Sequence, residues 1–405
     1  MGWSISKMSE VTNIISGGTP KSGISDYWFG DVKWITPKDM GKITGIYVSE
    51  TGRNITQLGL DKSSAKLIPE NSVILSTRAP IGYLAINTVP MATNQGCRGL
   101  VPKNTLDTKF LYYFLLKSVS LLNDLGSGTT FKELSKTALE KVEIPHPEIT
   151  EQKHIVAILE QAFADIEQAR AKTEQNLKNA RELFESYLQQ VFSQHGDDWG
   201  VKKIAEIAET CLGKMLDKKK NKGNPKPYLR NQNVQWFNIN TDDLLEMRFE
   251  DSEYERYAIK KGDLVICEGG YPGRGAIWEQ DEDIFFQKAL HRIRCHNPLY
   301  NRWVLYYLYL SDCNGTLKNS FTGAGIQHFT GKSLKQLALP IPPVELTEKF
   351  VRNFDELFNH VISLEHVYHN KLKSIDQLKK SILQKAFSGE LTKALEVDTN
   401  KGAVA

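Results

Sequence analysis

Apolar and small side chains recur at alternating steps of four and three residues along two long stretches of the chain. The first stretch, residues 151–192, contains 42 residues without a glycine or a proline. A period of 3.5 residues predicts a helix with a coiled-coil seam in each stretch. The predicted seam positions are Ile155, Leu159, Ala162, Ile166, Ala169, Thr173, Asn176, Ala180, Leu183 and Tyr187, and then Phe350, Phe354, Leu357, Val361, Leu364, Tyr368, Lys371, Ile375, Leu378 and Ile382.

The two predicted helices need a partner, because an isolated seam of this length would remain in water. At about 1.5 Å per residue, each helix would be roughly 60 Å long. Packing the helices against each other in antiparallel orientation would cover both seams. It would also place two globular domains at opposite ends, related by an approximate two-fold axis. The alternative is that each helix packs on its own globular domain, which would then have to cover the whole seam.

The chain repeats itself. Six segments recur in the same order, at offsets between 192 and 197 residues. Single matches between short apolar segments are common, but an ordered set indicates two copies of one unit. The matched positions are Trp3 with Trp199, Pro69 with Lys261, Gln95 with Gln287, Leu111 with Leu305, Gly126 and Gly128 with Gly323 and Gly325, and Ile144 with Ile341.

Each copy begins with short apolar runs separated by Gly, Pro and Asn, which predict strands and loops around one short helix. A pair of prolines then closes the globular part, and Thr150 and Thr347 follow as predicted N-caps of the long helices. The predicted fold class is α/β (α+β), with two similar globular domains joined by two long antiparallel helices. The predicted boundaries are 1–149 and 196–346 for the globular domains, 150–195 and 347–392 for the helices, and 393–405 for a flexible tail.

Composition fits a globular protein of the reducing cytoplasm. Of the 405 residues, 40% are hydrophobic and 24% are charged, and the net charge of +3 is only mildly basic. Five cysteines at wide spacing, with no CxxC pair, suggest neither disulfides nor a zinc site. The N-terminus lacks a signal-peptide pattern, and no stretch reaches 18 consecutive apolar residues. We therefore predict a cytoplasmic protein without a membrane span.

Motifs for catalysis are weak or missing. The tetrapeptide NPLY at Asn297 resembles the NPPY of amino-methyltransferases, but no glycine-rich loop for a methyl donor precedes it. The segment GGYPGRG at Gly269 lacks the lysine of a phosphate-binding loop, and a turn between strands is the better interpretation. The histidines form no HExxH pattern. We predict no catalytic residue, no metal site and no cofactor bound by this chain.

Basic and amide residues instead gather in loops rich in glycine and proline, as expected of a surface that contacts duplex DNA. Lys and Arg can neutralise phosphates, and Arg, Asn and Gln can reach base edges. The alternative for each residue is a loop side chain with no ligand, and Tyr27, Trp28 and Trp34 are predicted to pack their loop onto its sheet. The candidates are Lys21, Lys33, Lys38, Thr77, Arg78, Asn94, Gln95 and Arg98 in the first domain, and Lys214, Lys218, Lys219, Lys220, Lys222, Lys226, Arg230, Asn231, Gln232, Asn233, Arg274, Lys288, His291, Arg292, Gln327 and His328 in the second.

Several of these segments together resemble a known family, the specificity (S) subunits of type I restriction–modification systems. The first copy carries SGGTPKS, GDVKWITPKDM, STRAPIGYLAI, NQGCRGL and EIPHPEITEQKHIV. The second carries GKMLDKKK, LPIPPVELTEKF and KSILQKAFSGEL. The similarity runs through residues 1 to 395 in the family's order.

The resemblance implies that each globular domain is a target recognition domain for one half of a split duplex DNA sequence. The loops of the two copies differ, so an asymmetric target is expected. The long helices would be spacers that dock two modification subunits, which bind S-adenosylmethionine and methylate adenine at N6. Restriction subunits would translocate and cut DNA with ATP and Mg²⁺, in a bacterial or archaeal cytoplasm. The rival interpretations are a fused methyltransferase–nuclease and a coiled-coil scaffold that does not bind DNA.

Overall fold

The computed structural model describes residues 3–128, 132–194, 199–217 and 219–391. It divides into two compact units, the first formed by residues 1–173 with 370–405 and the second by residues 174–369. Each unit thus combines one globular part with segments of both long helices. Residues 393–405, predicted to be a flexible tail, lie outside the described residues. No helix in the described part of the chain is long and apolar enough to cross a membrane.

The first unit contains two mixed sheets and a short antiparallel pair. The strand order is β2-β10-β7-β8-β4 in one sheet and β5-β3-β9-β6 in the other, and β1 pairs with β11. The strands are β1 (Ser4–Lys7), β2 (Thr12–Ser16), β3 (Trp28–Ile35), β4 (Tyr47–Val48), β5 (Asn54–Ile55), β6 (Leu67–Ile68), β7 (Val73–Thr77), β8 (Ile81–Asn87), β9 (Met91–Thr93), β10 (Cys97–Pro102) and β11 (Glu143–His146). The helices are α1 (Met8–Val11), α2 (Pro37–Met40), α3 (Gln57–Asp61), α4 (Thr108–Lys117), α5 (Val119–Asp124), α6 (Lys136–Glu140) and the start of α7 (Ile149–Ser193).

The second unit repeats this plan. One sheet has the order β13-β22-β19-β20 and the other has the order β17-β14-β21-β18. The unit also contains two separate strand pairs, β12-β23 and β15-β16. The strands are β12 (Gly200–Lys203), β13 (Ala208–Leu212), β14 (Asn224–Leu229), β15 (Val234–Gln235), β16 (Asn238–Ile239), β17 (Leu245–Phe249), β18 (Ala258–Ile259), β19 (Leu264–Cys267), β20 (Gly275–Ile277), β21 (Ile284–Phe286), β22 (Leu290–Cys295) and β23 (Ala338–Ile341). The helices are α8 (Ile204–Ile207), α9 (Tyr254–Tyr257), α10 (Leu299–Cys313), α11 (Gly331–Gln336) and α12 (Val344–Ala386).

The end of a long helix completes the aromatic core of each unit. In the first unit Phe387, just after α12, packs on Phe110 and Phe114 of α4 with ring centroids 4.9 and 5.6 Å apart. In the second unit Phe192, near the end of α7, packs on Trp303 of α10 at 4.5 Å. Phe387 and Phe192 therefore occupy equivalent places in the two cores. Phe387 is far in sequence from the α4 residues that it contacts, whereas Phe192 lies shortly before β12.

The helices α7 and α12 pair in antiparallel orientation within both units. In the first unit Glu167 accepts a hydrogen bond of 2.9 Å from Lys379, and Arg170 contacts Asp376. In the second unit Arg181 contacts Glu365. The residue number falls along α12 as it rises along α7, as antiparallel packing requires. The predicted fold class, two similar α/β units with two long antiparallel helices, is confirmed.

The predicted seam is corrected at four positions, one of which is the exposed residue Lys371. Leu183, Leu364 and Leu378 are 62%, 41% and 50% exposed. In α7 the next two buried positions after Ala180 are Phe184 and Leu188, two successive steps of four. An α-helix has 3.6 residues per turn, so a strict 3.5-residue pattern drifts off the buried face. Of the other apolar seam positions, those buried are Ile155, Leu159, Ile166, Ala180, Phe354, Val361 and Ile375, and those half-buried are Ala162, Ala169, Tyr187, Phe350, Leu357, Tyr368 and Ile382.

The predicted N-caps of the long helices are wrong. Helix α7 begins at Ile149, before Thr150, and α12 begins at Val344, before Thr347. The Thr347 hydroxyl is buried and donates to the carbonyls of Pro342 and Pro343 at 3.2 and 3.0 Å. Thr347 thus bonds back along the chain from inside the first turn, because the helix starts directly after the proline pair.

Candidate nucleic-acid interface

In each unit two parallel strands end side by side, and candidate residues follow both ends. Strand β3 pairs with β9 in parallel through Ile35 and Thr93, and β14 pairs with β21 through Leu229 and Phe286. The next backbone bond continues each pairing, from Asn94 N to Ile35 O at 3.0 Å and from Gln287 N to Leu229 O at 3.1 Å. The carboxyl ends of parallel strands are a common place for ligands in α/β sheets.

The segment that follows β3 in the first unit forms the same turn as the segment that follows β14 in the second unit. In the first, Thr36 N donates to the Asp39 carboxylate at 3.0 Å. In the second, Arg230 N donates to the Asn233 side chain at 2.9 Å. Lys38 and Gln232 therefore occupy equivalent positions, and both are exposed.

A glycine lies against the segment that follows β9 in the first unit and against the segment that follows β21 in the second unit. Gly17 N donates to Cys97 O at 3.3 Å, and Gly213 N donates to Leu290 O at 3.0 Å. A Cβ atom at Gly17 would lie 1.9 Å from Asn94 O, and one at Gly213 would lie 2.2 Å from Gln287 O. Only glycine fits such a close backbone approach.

These bonds correct the internal alignment. Leu290 N donates to Gln287 O just as Cys97 N donates to Asn94 O. Gln287 is therefore equivalent to Asn94, not to Gln95 as the sequence match suggested. The exposed residue Gln95 is equivalent to the exposed residue Lys288.

A strand-end turn and a hairpin complete the arrangement in each unit. Leu134 N donates to Thr77 O at 2.9 Å, and Phe329 N donates to Glu268 O at 2.7 Å. Leu134 directly follows a small hairpin closed by an antiparallel bridge between Ser127 and Glu133. Phe329 directly follows a hairpin closed by an antiparallel bridge between Thr322 and His328. Residues 129–131 of the first hairpin lie outside the described residues.

In the first unit these segments bring several candidates together around Gly96. A Cβ atom at Gly96 would lie 3.3 Å from Arg78 Cγ, from Asn94 Oδ1 and from Pro37 Cγ. The Thr19 hydroxyl donates to the Gln95 side chain. The first strand-end surface, as we define it, consists of Thr19, Pro37, Lys38, Arg78, Asn94 and Gln95.

The equivalent segments of the second unit gather around Asn231. Its side-chain amide donates to Gly269 O at 3.5 Å, and its carbonyl accepts from Arg274 at 3.1 Å. A Cβ atom at Gly269 would lie 3.1 Å from His328 Nδ1. The second strand-end surface consists of Asn231, Gln232, Gly269, Arg274, Lys288 and His328.

Several buried polar atoms without a hydrogen-bond partner lie at these surfaces or beside them. Among the described residues they are Thr93 Oγ1 and the Nε atoms of Arg98, Arg230 and Arg274, whereas Arg292 Nε is a further one inside the fold and His328 Nδ1 lies 3.4 Å from the Glu268 carboxylate. Thr93 ends β9, and Arg230 follows β14 directly. Buried donors are normally satisfied, so a group of unsatisfied ones indicates a place where a polar ligand or water completes the bonding.

Five candidates have hydrogen-bond partners inside the fold, and their contact with DNA stays a prediction. Thr77, Lys214, Asn233, His291 and Arg292 are buried. Their partners are Gly96 O for Thr77, Arg248 O and Glu253 for Lys214, Asn240 O for Asn233, Phe329 O for His291 and Ala258 O for Arg292. Burial lowers the pKa of His291. Strand β22, which carries His291 and Arg292, lies between β13 and β19.

The remaining candidates lie at other places. Lys33 pairs with Glu50, and Arg230 pairs with Asp243 at 2.9 Å. Arg98 is half-buried, and burial lowers its pKa. Lys218 lies outside the described residues. The exposed candidates are Lys21, Lys219, Lys220, Lys222, Lys226 and Gln327.

The aromatic residues of the first unit hold a loop, as predicted from the sequence. Trp28 and Trp34 are buried, with ring centroids 5.2 Å apart in an edge-to-face arrangement. Trp34 Nε1 donates to Gly18 O at 2.9 Å, and Trp28 Nε1 donates to Lys21 O at 3.3 Å. Both rings therefore fasten the segment that leads from Gly17 to Lys21.

Thiol chemistry is not favoured beside the surfaces. Burial raises the pKa of Cys97 to about 12 and the pKa of Cys267 to about 11. Both thiols remain protonated at neutral pH, and a protonated thiol is a poor nucleophile and a poor metal ligand. Within the described residues, no group of three His, Cys, Asp or Glu side chains could hold a metal ion.

The fold and the paired surfaces define a two-copy protein with one candidate binding surface in each copy. A family model described as the type I restriction modification DNA specificity domain matches residues 1–176 and again residues 196–374. The chain therefore belongs to the family of type I restriction–modification specificity subunits.

Individual relatives and solved structures agree with this assignment. The chain is 28% identical to the type I restriction enzyme MjaIX specificity subunit of Methanocaldococcus jannaschii, over 96% of this chain and 93% of that protein. It is 24% identical to the EcoKI specificity subunit of Escherichia coli, over 96% of this chain and 89% of that protein. The HsdS subunit of Thermoanaerobacter tengcongensis has the same fold, with a TM-score of 0.61 at 18% identity over 96% of this chain and 97% of that one. A chain solved in a study of complex assembly of the type I R-M system matches with a TM-score of 0.76, at 19% identity over 96% of this chain and 98% of that one.

Proposed function

We propose that this chain is the DNA-recognition subunit of a type I restriction–modification complex, and that each strand-end surface contacts one half of a split duplex target. The observation that carries this proposal is the equivalence of the two surfaces. Hydrogen bonds of the same pattern hold the same backbone segments in both units, yet the exposed side chains at equivalent positions differ. Lys38 corresponds to Gln232, and Gln95 corresponds to Lys288.

This arrangement suits two different half-sites on one frame. Lysine contacts phosphate as a point charge, whereas glutamine can donate to and accept from a base edge. Exchanging the two residue types between equivalent positions changes which atoms each surface offers to DNA. We therefore expect an asymmetric target with a gap between its halves.

The chain's role in this proposal is recognition and assembly. Two modification subunits that bind S-adenosylmethionine would dock on the chain and methylate adenine, and restriction subunits that use ATP and Mg²⁺ would cleave DNA. The exposed leucines of the long helices, Leu183, Leu364 and Leu378, are apolar positions available for such partners.

The test is long-read methylation mapping of DNA from cells that co-express this chain with its neighbouring methyltransferase gene product. We expect N6-methyladenine in one gapped, two-part motif. Exchanging residues 1–145 for those of another specificity subunit should change one half of the motif and leave the other half intact.

Omitting the chain is the control. Methylation that persists without it, or that shows no split motif, would contradict the proposal. A chain that assembles with the methyltransferase but directs no sequence-specific methylation would instead be a scaffold.

A further inference from the structure

The hairpin between Thr322 and His328 is held firmly at its base. Thr322 N donates to His328 O at 2.9 Å, and His328 N donates to Thr322 O at 2.8 Å. The rings of Phe321 and Phe329, which flank the hairpin, lie 5.6 Å apart. Phe329 is fully buried. The base of the hairpin is thus part of the packed core of the second unit.

The tip of the same hairpin carries a large apolar side chain in water. Ile326 is 76% exposed, and its neighbours Ala324 and Gly325 are small and exposed as well. Gly323 has a φ of +110°, and a Cβ atom there would lie 2.2 Å from Ile326 O. The turn therefore depends on a glycine to present Ile326 at the tip, while the packing of the second unit leaves that side chain uncovered.

The hairpin adjoins the second strand-end surface. His328 lies against Gly269, and a Cβ atom at Gly273 would lie 3.7 Å from Phe321 Cζ. The loop between those two glycines carries Tyr271, which is 46% exposed, with the Arg274 guanidinium 5.2 Å from its ring. A cation and an exposed isoleucine thus lie on neighbouring segments, and the Glu268 carboxylate lies 3.4 Å from His328 Nδ1 at the base of the hairpin.

We propose that the hairpin of residues 322–328 enters the minor groove at the second half-site, and that Ile326 inserts between two base pairs as an apolar wedge. This inference rests on the proposed function. Isoleucine is one of the side chains that unstack a base step in this way, and positive charge beside the wedge neutralises the phosphates of the bent backbone. The small residues at the tip allow the backbone to approach the groove floor.

The experiment uses the full chain in complex with its methyltransferase subunit and a duplex that contains the mapped target. 2-Aminopurine replaces, one at a time, each adenine in or next to the half-site that stays intact when residues 1–145 are exchanged. The methylated adenine is left untouched, because a methyltransferase flips that base on its own. We expect binding to raise the fluorescence at one step, since unstacking relieves quenching.

Ile326→Ala should abolish this rise and weaken binding about tenfold, because the apolar area that the isoleucine would bury between the base pairs is lost. Ile326→Leu should retain both the rise and the affinity. Leu245→Ala is the matched control, because Leu245 is an exposed apolar residue of the same unit, outside the hairpin. It should leave both quantities unchanged.

Three results would overturn the wedge. The first is a tight wild-type complex with no rise in fluorescence at any base step. The second is an Ile326→Ala complex with the same fluorescence and affinity as wild type. The third is an affinity that falls when thymine is replaced by uracil, which lacks the methyl group, but only when Ile326 is present. The last result would place Ile326 in the major groove. Failure of the proposed function would appear earlier, as methylation without a split motif, and it would overturn the wedge as well.

Discussion

Two adjacent residues of α7, Leu183 and Phe184, test the corrected seam. The 3.5-residue pattern predicts that Leu183 is buried, whereas the structure exposes 62% of it and buries Phe184 to 2% exposure. The Phe184 ring lies 6.1 Å from Tyr306 and 5.5 Å from Phe358, centroid to centroid. Truncating a buried phenylalanine costs about 3–5 kcal/mol, and truncating an exposed leucine usually changes stability by less than about 0.5 kcal/mol.

We therefore expect Phe184→Ala to lower the free energy of unfolding of the second unit by about 3–5 kcal/mol, and Leu183→Ala to leave it nearly unchanged. Urea denaturation followed by circular dichroism measures both variants, with two transitions fitted because the chain has two units. Leu159→Ala, a core substitution in the first unit, identifies which transition belongs to which unit. A loss for Leu183→Ala equal to or greater than that for Phe184→Ala would refute the corrected seam.

Three further predictions concern the second strand-end surface and the residues that pack behind the two surfaces. Lys214→Met should destabilise the second unit by about 1–2 kcal/mol. Burial alone raises the pKa of Glu253, but the hydrogen bond from Lys214 leaves that pKa below its ordinary value. The stabilisation of the fold by this ion pair is therefore present above the ordinary carboxyl range, and it is lost as the pH falls through the lowered pKa. The difference between variant and wild type, measured by urea unfolding, should therefore shrink at low pH. Lys288→Ala should reduce the slope of log affinity against log salt by about 1, measured by fluorescence anisotropy, whereas an unchanged slope would place Lys288 off the phosphates. Gly17→Ala should destabilise the first unit by about 1–3 kcal/mol in calorimetry, while Gly23→Ala, which meets no atom within 4 Å, should have little effect, and equal effects would contradict the close approach at Gly17.

The repeat and the long helices could be predicted from the sequence because both depend on local or self-similar patterns. The spacing of apolar residues alone predicts a seam, and a comparison of the chain with itself detects a repeat. The position at which the buried face shifts from Leu183 to Phe184 could not be predicted, because it depends on which side chains of other helices pack there. Phe184 lies in the seam because Tyr306 and Phe358 surround it, and neither contact is visible in the period of α7.

The composition of the strand-end surfaces could not be predicted from the sequence in full. Letter identity matched Gln95 with Gln287, but backbone hydrogen bonds place Asn94 where Gln287 lies. A shift of one position changes which residue is exposed, and so it changes every inference about equivalent contacts. Lys21 and Lys33 are both predicted to lie in a loop, and nothing in the sequence indicates that Lys21 is exposed in a loop whereas Lys33 lies in β3 and pairs with Glu50.

Lys214 shows how the two copies keep one frame with different residues. Gly18 N donates to Thr93 O at 2.9 Å, and Lys214 N donates to Phe286 O at 3.0 Å, so the two residues are equivalent. A Cβ atom at Gly18 would lie 2.3 Å from Ala65 N, which excludes a side chain in the first unit. In the second unit the lysine fills this place and binds a carbonyl and a carboxylate. The backbone bonds are thus kept while the groups packed behind them change, and this freedom allows the exposed residues of the two surfaces to differ.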